Sequence, residues 1–194
     1  MEKVESKENR NKTTAHSFAY DRIHLMMISL MHDKLYRLFV NPYRLLYAAG
    51  IKAGQKVLEV GFGPGFFTIP AAKIVGGRGT VCALDINRAA VETLLRKVKE
   101  NHMNNVKVIL ADARETGLPH NTFDVAFLFG VIHDFPDVPA VMREMHRVLR
   151  PKGILSAQRS SRSERNLMDE ITRDGLFAFK EKSDGIFKFS KNEK

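Results

Sequence analysis

The 194-residue chain predicts an α/β fold built on a doubly wound, mostly parallel sheet. Three observations carry this expectation. Short apolar runs alternate with segments of helical period from Lys56 to Ala157, the pattern of a parallel sheet covered on both faces. Glu59-Val60-Gly61-Phe62-Gly63-Pro64-Gly65 joins the first strand to a helix through three glycines at alternate positions. Without a Cβ, such a turn bends sharply and lets a ligand approach its backbone, while the helix start points its N–H groups into the same space. Third, Asp85 ends the next strand, where a carboxylate can accept both hydroxyls of a ribose.

The elements follow in order. Residues 1–20 are polar and read as a flexible segment. From 21 to 49 the chain reads as helical, with Met26, Met27 and Met31 on one stripe. Asn41-Pro42 breaks this run and Pro42 opens a helix ending at Gly50. A domain over 50–190 begins there. Lys56–Gly61 reads as a strand and Phe66–Val75 as a helix stopped by Gly76-Gly77. Gly79–Leu84 is a strand, and Arg88–Glu100 a helix capped by Asn87. Val106–Leu110 and Phe123–Phe129 are strands. Val138–Leu149 is a helix with Asp137 as its cap, ended by Arg150-Pro151. Ile154–Ala157 is a strand. Ser161-x-x-Glu164 has the form of a capping box opening a helix that Gly175 stops. Leu176–Lys182 and Ile186–Phe189 flank Ser183-Asp184-Gly185, a hairpin signal that adds an antiparallel pair.

Composition narrows the function classes. The single cysteine, Cys82, allows no internal disulfide and no zinc or iron–sulfur ligation, so a reducing cytoplasm is the expected compartment. No apolar run approaches a membrane span, and the charged first residues do not form a signal peptide. The net charge of +9 invites a nucleic-acid partner, yet basic residues are interspersed with acids. Even the densest basic stretch, Arg143 to Arg165, lacks interleaved aromatics, so a solvated face or attraction for an anionic small molecule is favoured. The sequence carries no signal for an oligomeric state.

The glycine spacing separates two nucleoside readings. A dinucleotide fingerprint needs G-x-G-x-x-G, but Phe66 stands where its third glycine would fall. The stretch Glu-x-Gly-x-Gly-x-Gly instead resembles the first motif of the class I S-adenosylmethionine (SAM) dependent methyltransferases. Leu110-Ala111-Asp112-Ala113 resembles the adenine-binding acid of that family, and the closing hairpin matches its seven-stranded, Rossmann-like sheet. The resemblance covers about residues 50 to 190. It implies SAM as cofactor, with Gly61, Gly63 and Gly65 shaping the methionine pocket and Glu59 holding the amino group directly or through water. It also implies that Asp85 serves the ribose, Asp112 and the Ala113 N–H the adenine, and that Ile86 and Phe129 lie beside the cofactor. The Asn-Pro-Pro-aromatic motif common in methylation of adenine bases or glutamine side chains is missing after Phe129. The chain therefore looks more like the small-molecule branch, with a quinone, lipid or natural-product acceptor, anionic or apolar, presenting oxygen or carbon.

Alternatives stand beside these roles. Asp85 and Asp112 could be turn or cap acids. His133 could be a general base oriented by Asp134 or Asp137, or a polar loop residue in an Asp-Phe-Pro-Asp turn. The methionine stripe could close over an apolar acceptor or simply pack. Two other functions compete: an NAD(P)-dependent oxidoreductase, and a SAM-binding or RNA-associated module without catalysis.

Overall fold

The computed structural model describes residues 40–158 and 163–193. The segment 1–20, the methionine stripe and the rest of the expected helical region up to residue 39 lie outside the described residues, as do Arg159, Ser161 and Arg162. Among the described residues seven strands form one sheet: β1 Lys56–Val60, β2 Thr80–Asp85, β3 Val106–Leu110, β4 Phe123–Phe129, β5 Leu149–Gln158, β6 Phe177–Ser183 and β7 Ile186–Lys191. Among the described residues five α-helices accompany them: α1 Pro42–Ala48, α2 Thr68–Val75, α3 Arg88–Glu100, α4 Val138–Val148 and α5 Glu164–Thr172.

The spatial order is β3-β2-β1-β4-β5-β7-β6. The first five strands run parallel, while β7 is antiparallel to both β5 and β6. Chain direction across the sheet reverses at β1, so α2 and α3 lie on one face and α4 on the other, as right-handed crossovers require. Strand side chains alternate accordingly. Leu58, Leu84, Ala126 and Leu128 pack with Val141, Met142 and Met145 of α4 and Leu167 and Ile171 of α5. Val57, Val81, Val125 and Phe127 pack with Leu45 and Leu46 of α1 and Ala71, Ala72 and Val75 of α2. So α1 shares the core of the sheet, although the sequence groups it with the N-terminal helices. A loop opens at the C-terminal ends of β1 and β4, the reversal point, where open parallel sheets bind ligands.

Several boundaries move for local reasons. Helix α2 starts at Thr68, two residues later than expected, because residues 63–67 are wound into turns, with Gly65 N–H donating to Phe62 O at 2.8 Å. The expected terminator Arg150-Pro151 lies inside β5, which begins at Leu149 opposite Phe123. Pro151, lacking an N–H, is accommodated where the β4–β5 register shifts and Lys152 takes φ 63°. Ser163, not Ser161, caps α5, its hydroxyl accepting from Asn166 N–H. Asn87 and Asp137 cap α3 and α4 as expected. The β6–β7 hairpin turns on Asp184 (φ 52°) and Gly185 (φ 76°), both left-handed, as a two-residue turn demands. Arg44 of α1 pairs with Asp184 at that turn.

Candidate functional site

A cavity of about 730 Å³ opens at the C-terminal ends of β1, β2, β3, β4 and β5. Its size suits a small-molecule site. Among the residues named from sequence, Glu59, Gly61, Gly63, Asp85, Ile86, Asp112, Ala113, Phe129 and His133 all line it. Gly65 does not line it. A Cβ at Gly65 would lie 2.7 Å from Leu94 Cδ1, so this glycine admits α3 against the turn rather than shaping the pocket. The sequence groups Gly65 with Gly61 and Gly63 in shaping the methionine pocket; in the structure its nearest side-chain neighbour is Leu94 of α3.

The other two glycines differ from it and from each other. A Cβ at Gly61 would meet Val131 Cγ1 at 2.7 Å, so its absence lets the loop after β4 come close. Gly63 has φ 50° and nothing within 4 Å of a built Cβ, so it faces open space. Its N–H donates to Asp85 Oδ2 at 2.9 Å, tying the turn to the end of β2. Lys97 of α3 donates to Pro64 O at 2.7 Å and holds the turn from its far side.

Two carboxyls are buried at this junction. Asp85 is 8% exposed and also accepts Asn87 N–H on Oδ1 at 2.9 Å. Burial raises its pKa, and the N–H groups of Asn87, Gly63 and Ile86 offset part of the rise. Glu59 is 2% exposed, and burial pushes its carboxyl up to about 8. The nearby Thr68 hydroxyl pulls the other way, and the Asp85 charge adds to the rise. Yet Glu59 Oε2 and Thr68 Oγ1 both lack a hydrogen bond of normal geometry. A buried carboxyl oxygen left unmatched at a cavity wall is costly unless a ligand supplies a hydrogen-bond partner.

The opposite end is occupied by an ion pair. Arg114 Nη2 donates to Asp112 Oδ2 at 2.7 Å, and Arg114 Nε lies 3.0 Å from Oδ1 and 3.1 Å from Oδ2. This guanidinium holds the Asp112 carboxyl below the usual range. Asp112 and Arg114 lie in the turn beyond β3, which ends at Leu110, so no helical or strand period applied to them and sequence reasoning missed Arg114. The turn brings them together, with Arg114 N–H on Asp112 Oδ1 at 2.8 Å.

Beyond β4 the wall is aromatic. Phe67 stacks edge-on against Phe129 with centroids 5.0 Å apart, and Phe129 leans on Phe127 at 4.9 Å. Phe67 reaches the cavity because it sits at the N-cap of α2 instead of inside the helix, a second feature sequence reasoning missed. His133 lies in a short 3₁₀ turn, Ile132–Asp134, with Nε2 3.2 Å from Asp134 Oδ1. Its side chain is 34% exposed. Asp137, the other expected orienter, instead accepts Ala140 N–H as the cap of α4.

Sheet order, glycine turn and strand-end acids define a class I SAM-dependent methyltransferase, and the chain belongs to that family: the methyltransferase domain matches over residues 51–187. This decides against the nicotinamide-dependent reading. A demethylmenaquinone methyltransferase from Staphylococcus aureus (strain MRSA252) is 33% identical over 136 residues, covering 70% of this chain and 53% of that protein. One from Geobacillus sp. (strain WCH70) is 36% identical over 103 residues, covering 53% and 44%. The chain thus spans about half the length of the curated relatives it matches. The crystal structure of a SAM dependent methyltransferase from Aquifex aeolicus superposes with a TM-score of 0.74 at 24% identity, covering 86% of this chain and 97% of that one.

Proposed function

We propose that this chain is a SAM-dependent methyltransferase acting on a small-molecule acceptor through oxygen or carbon. The observation that carries the reading is the buried, unmatched Glu59 oxygen facing a cavity that also presents the open Gly63 turn and Asp85. These residues fit SAM. Glu59 would take the amino group, Gly63 the space beside the methionine portion, Asp85 and Ile86 the ribose, and Asp112 with Ala113 the adenine. When bound, SAM supplies a methyl group already activated by its sulfonium.

The protein groups do the positioning. Gly61 lets Val131 of the loop after β4 come close to the turn, which brings that loop to the cavity wall. Phe67, Phe129 and Phe127 offer an apolar aromatic wall to the acceptor, and the uncharged Gln158 also lines the cavity. That wall and the names of the curated relatives favour a quinone-like ring carrying a hydroxyl. His133 would accept the acceptor's proton, and Asp134 Oδ1 on Nε2 would stabilise the charged ring. Aligning nucleophile and methyl supplies the rest of the rate.

The basic stretch gives little support to an RNA partner. Among the described residues, Arg147 pairs with Glu144, Arg150 with Asp124, Arg143 with Asp174 and Arg165 with Asp169. No helix among the described residues is long and apolar enough to cross a membrane, and Cys82 is buried and free, which fits work in the cytoplasm. Calorimetry tests the assignment: SAM and its demethylated product should bind at micromolar affinity, roughly −7 to −9 kcal/mol. Heat with NADH and none with either SAM form would overturn it.

A further inference from the structure

We propose that Arg114 sets which purine the nucleoside end of the cavity accepts, by presenting the Asp112 carboxylate as one half of a donor–acceptor pair instead of a bare acceptor. This deepens the proposed SAM site and rests on adenine lying against Asp112. A carboxylate has about four acceptor positions. Arg114 fills most of them on Asp112: its N–H and Nε on Oδ1, its Nη2 on Oδ2, with Nε shared between the two. The fork is planar and pre-organised, so the pair behaves as one rigid unit. Both members line the cavity, and Asp137 adds a second negative charge near Arg114.

The consequence concerns position 6 of the purine. Adenine carries an amine there, a donor that needs Oδ2. Hypoxanthine carries a carbonyl oxygen, which a bare carboxylate would repel and leave unpaired. With Arg114 in place the same edge offers guanidinium N–H groups a short distance from Oδ2, so a carbonyl also finds a partner. Arg114 therefore narrows the preference for adenine over hypoxanthine, and removing it sharpens that preference.

Calorimetry with S-adenosylhomocysteine and S-inosylhomocysteine tests this on the intact chain. The quantity read is the ratio of their dissociation constants, which a general loss of fold or affinity leaves unchanged. Arg114→Ala should raise the preference for the adenine ligand at least about fivefold over wild type, because the carboxylate is then unmasked. Arg114→Lys keeps the charge and loses the fork, and should raise it at least about twofold; it gives the reading if the alanine variant binds both ligands too weakly. An unchanged or reduced ratio overturns the role of Arg114. Failure of the wild type to bind S-adenosylhomocysteine would instead overturn the proposed function.

Discussion

Asp85 Oδ2 accepts the N–H of Gly63 at 2.9 Å, so the acid that ends β2 also fixes the glycine turn that follows β1. The two sequence landmarks are one mechanical unit. Asp85→Ala should weaken SAM by about 1.5–3 kcal/mol, because it removes charge-assisted bonds to the ribose and unpins the turn. The protein should stay folded, since Asp85 stands at a strand end. Unchanged affinity in a folded variant would leave Asp85 as an ordinary turn acid.

The glycines should separate into two kinds of effect. Gly63→Val places a β-branched side chain at φ 50° in the open space of the cavity. It should abolish SAM binding more completely than Asp85→Ala. Gly65→Ala puts a methyl against Leu94 and should lower thermal stability by about 1–3 kcal/mol, without a direct contact to ligand. Equal loss of ligand affinity at matched stability in both variants would contradict this division.

Glu59 makes binding depend on pH. With its carboxyl pushed up to about 8, it is mostly protonated at neutral pH in the ligand-free protein. An ammonium group brought against it drives the proton off. SAM binding at about pH 7 should therefore release up to about one proton, visible as a binding enthalpy that varies with buffer. Absence of release would mean that Glu59 does not meet the ligand's charge.

The same shift has a signed effect on stability. The folded state holds this proton more tightly than the unfolded chain, whose value is the ordinary 4.5. The stabilisation is fully present below about 4.5 and is lost as pH rises through about 8. Glu59→Gln, neutral throughout, should raise Tm over wild type at about pH 9, show little change at about pH 4, and bind SAM more weakly. A Tm difference independent of pH would sink the argument.

His133→Ala should lower kcat by about 10²–10⁴-fold with SAM affinity near wild type, if the imidazole removes the acceptor's proton. Single-turnover rates with a methylatable quinol measure this. A loss under fivefold would leave alignment as the whole of the catalysis.

Legibility in the sequence followed the range of the interactions. Strand and helix alternation, the caps Asn87 and Asp137, and the Asp184-Gly185 hairpin were readable because each depends on a few consecutive residues. So was the set Glu59, Gly61, Gly63, Asp85 and Asp112, because strand ends in a parallel sheet all deliver their residues to one side. Tertiary structure alone decided the rest. Gly65 belongs to helix packing because Leu94, twenty-nine residues on, occupies the space beside it. Phe67 reaches the cavity wall because the glycine turn winds for two further residues before α2 begins. The partner of Asp112 is Arg114 because the turn after β3 folds a guanidinium back on the carboxylate, and an irregular turn has no period from which to read that contact. The sequence by itself determined which chemistry is delivered to the end of the sheet, and only packing at that end decided which groups are charged, paired or left waiting for a ligand.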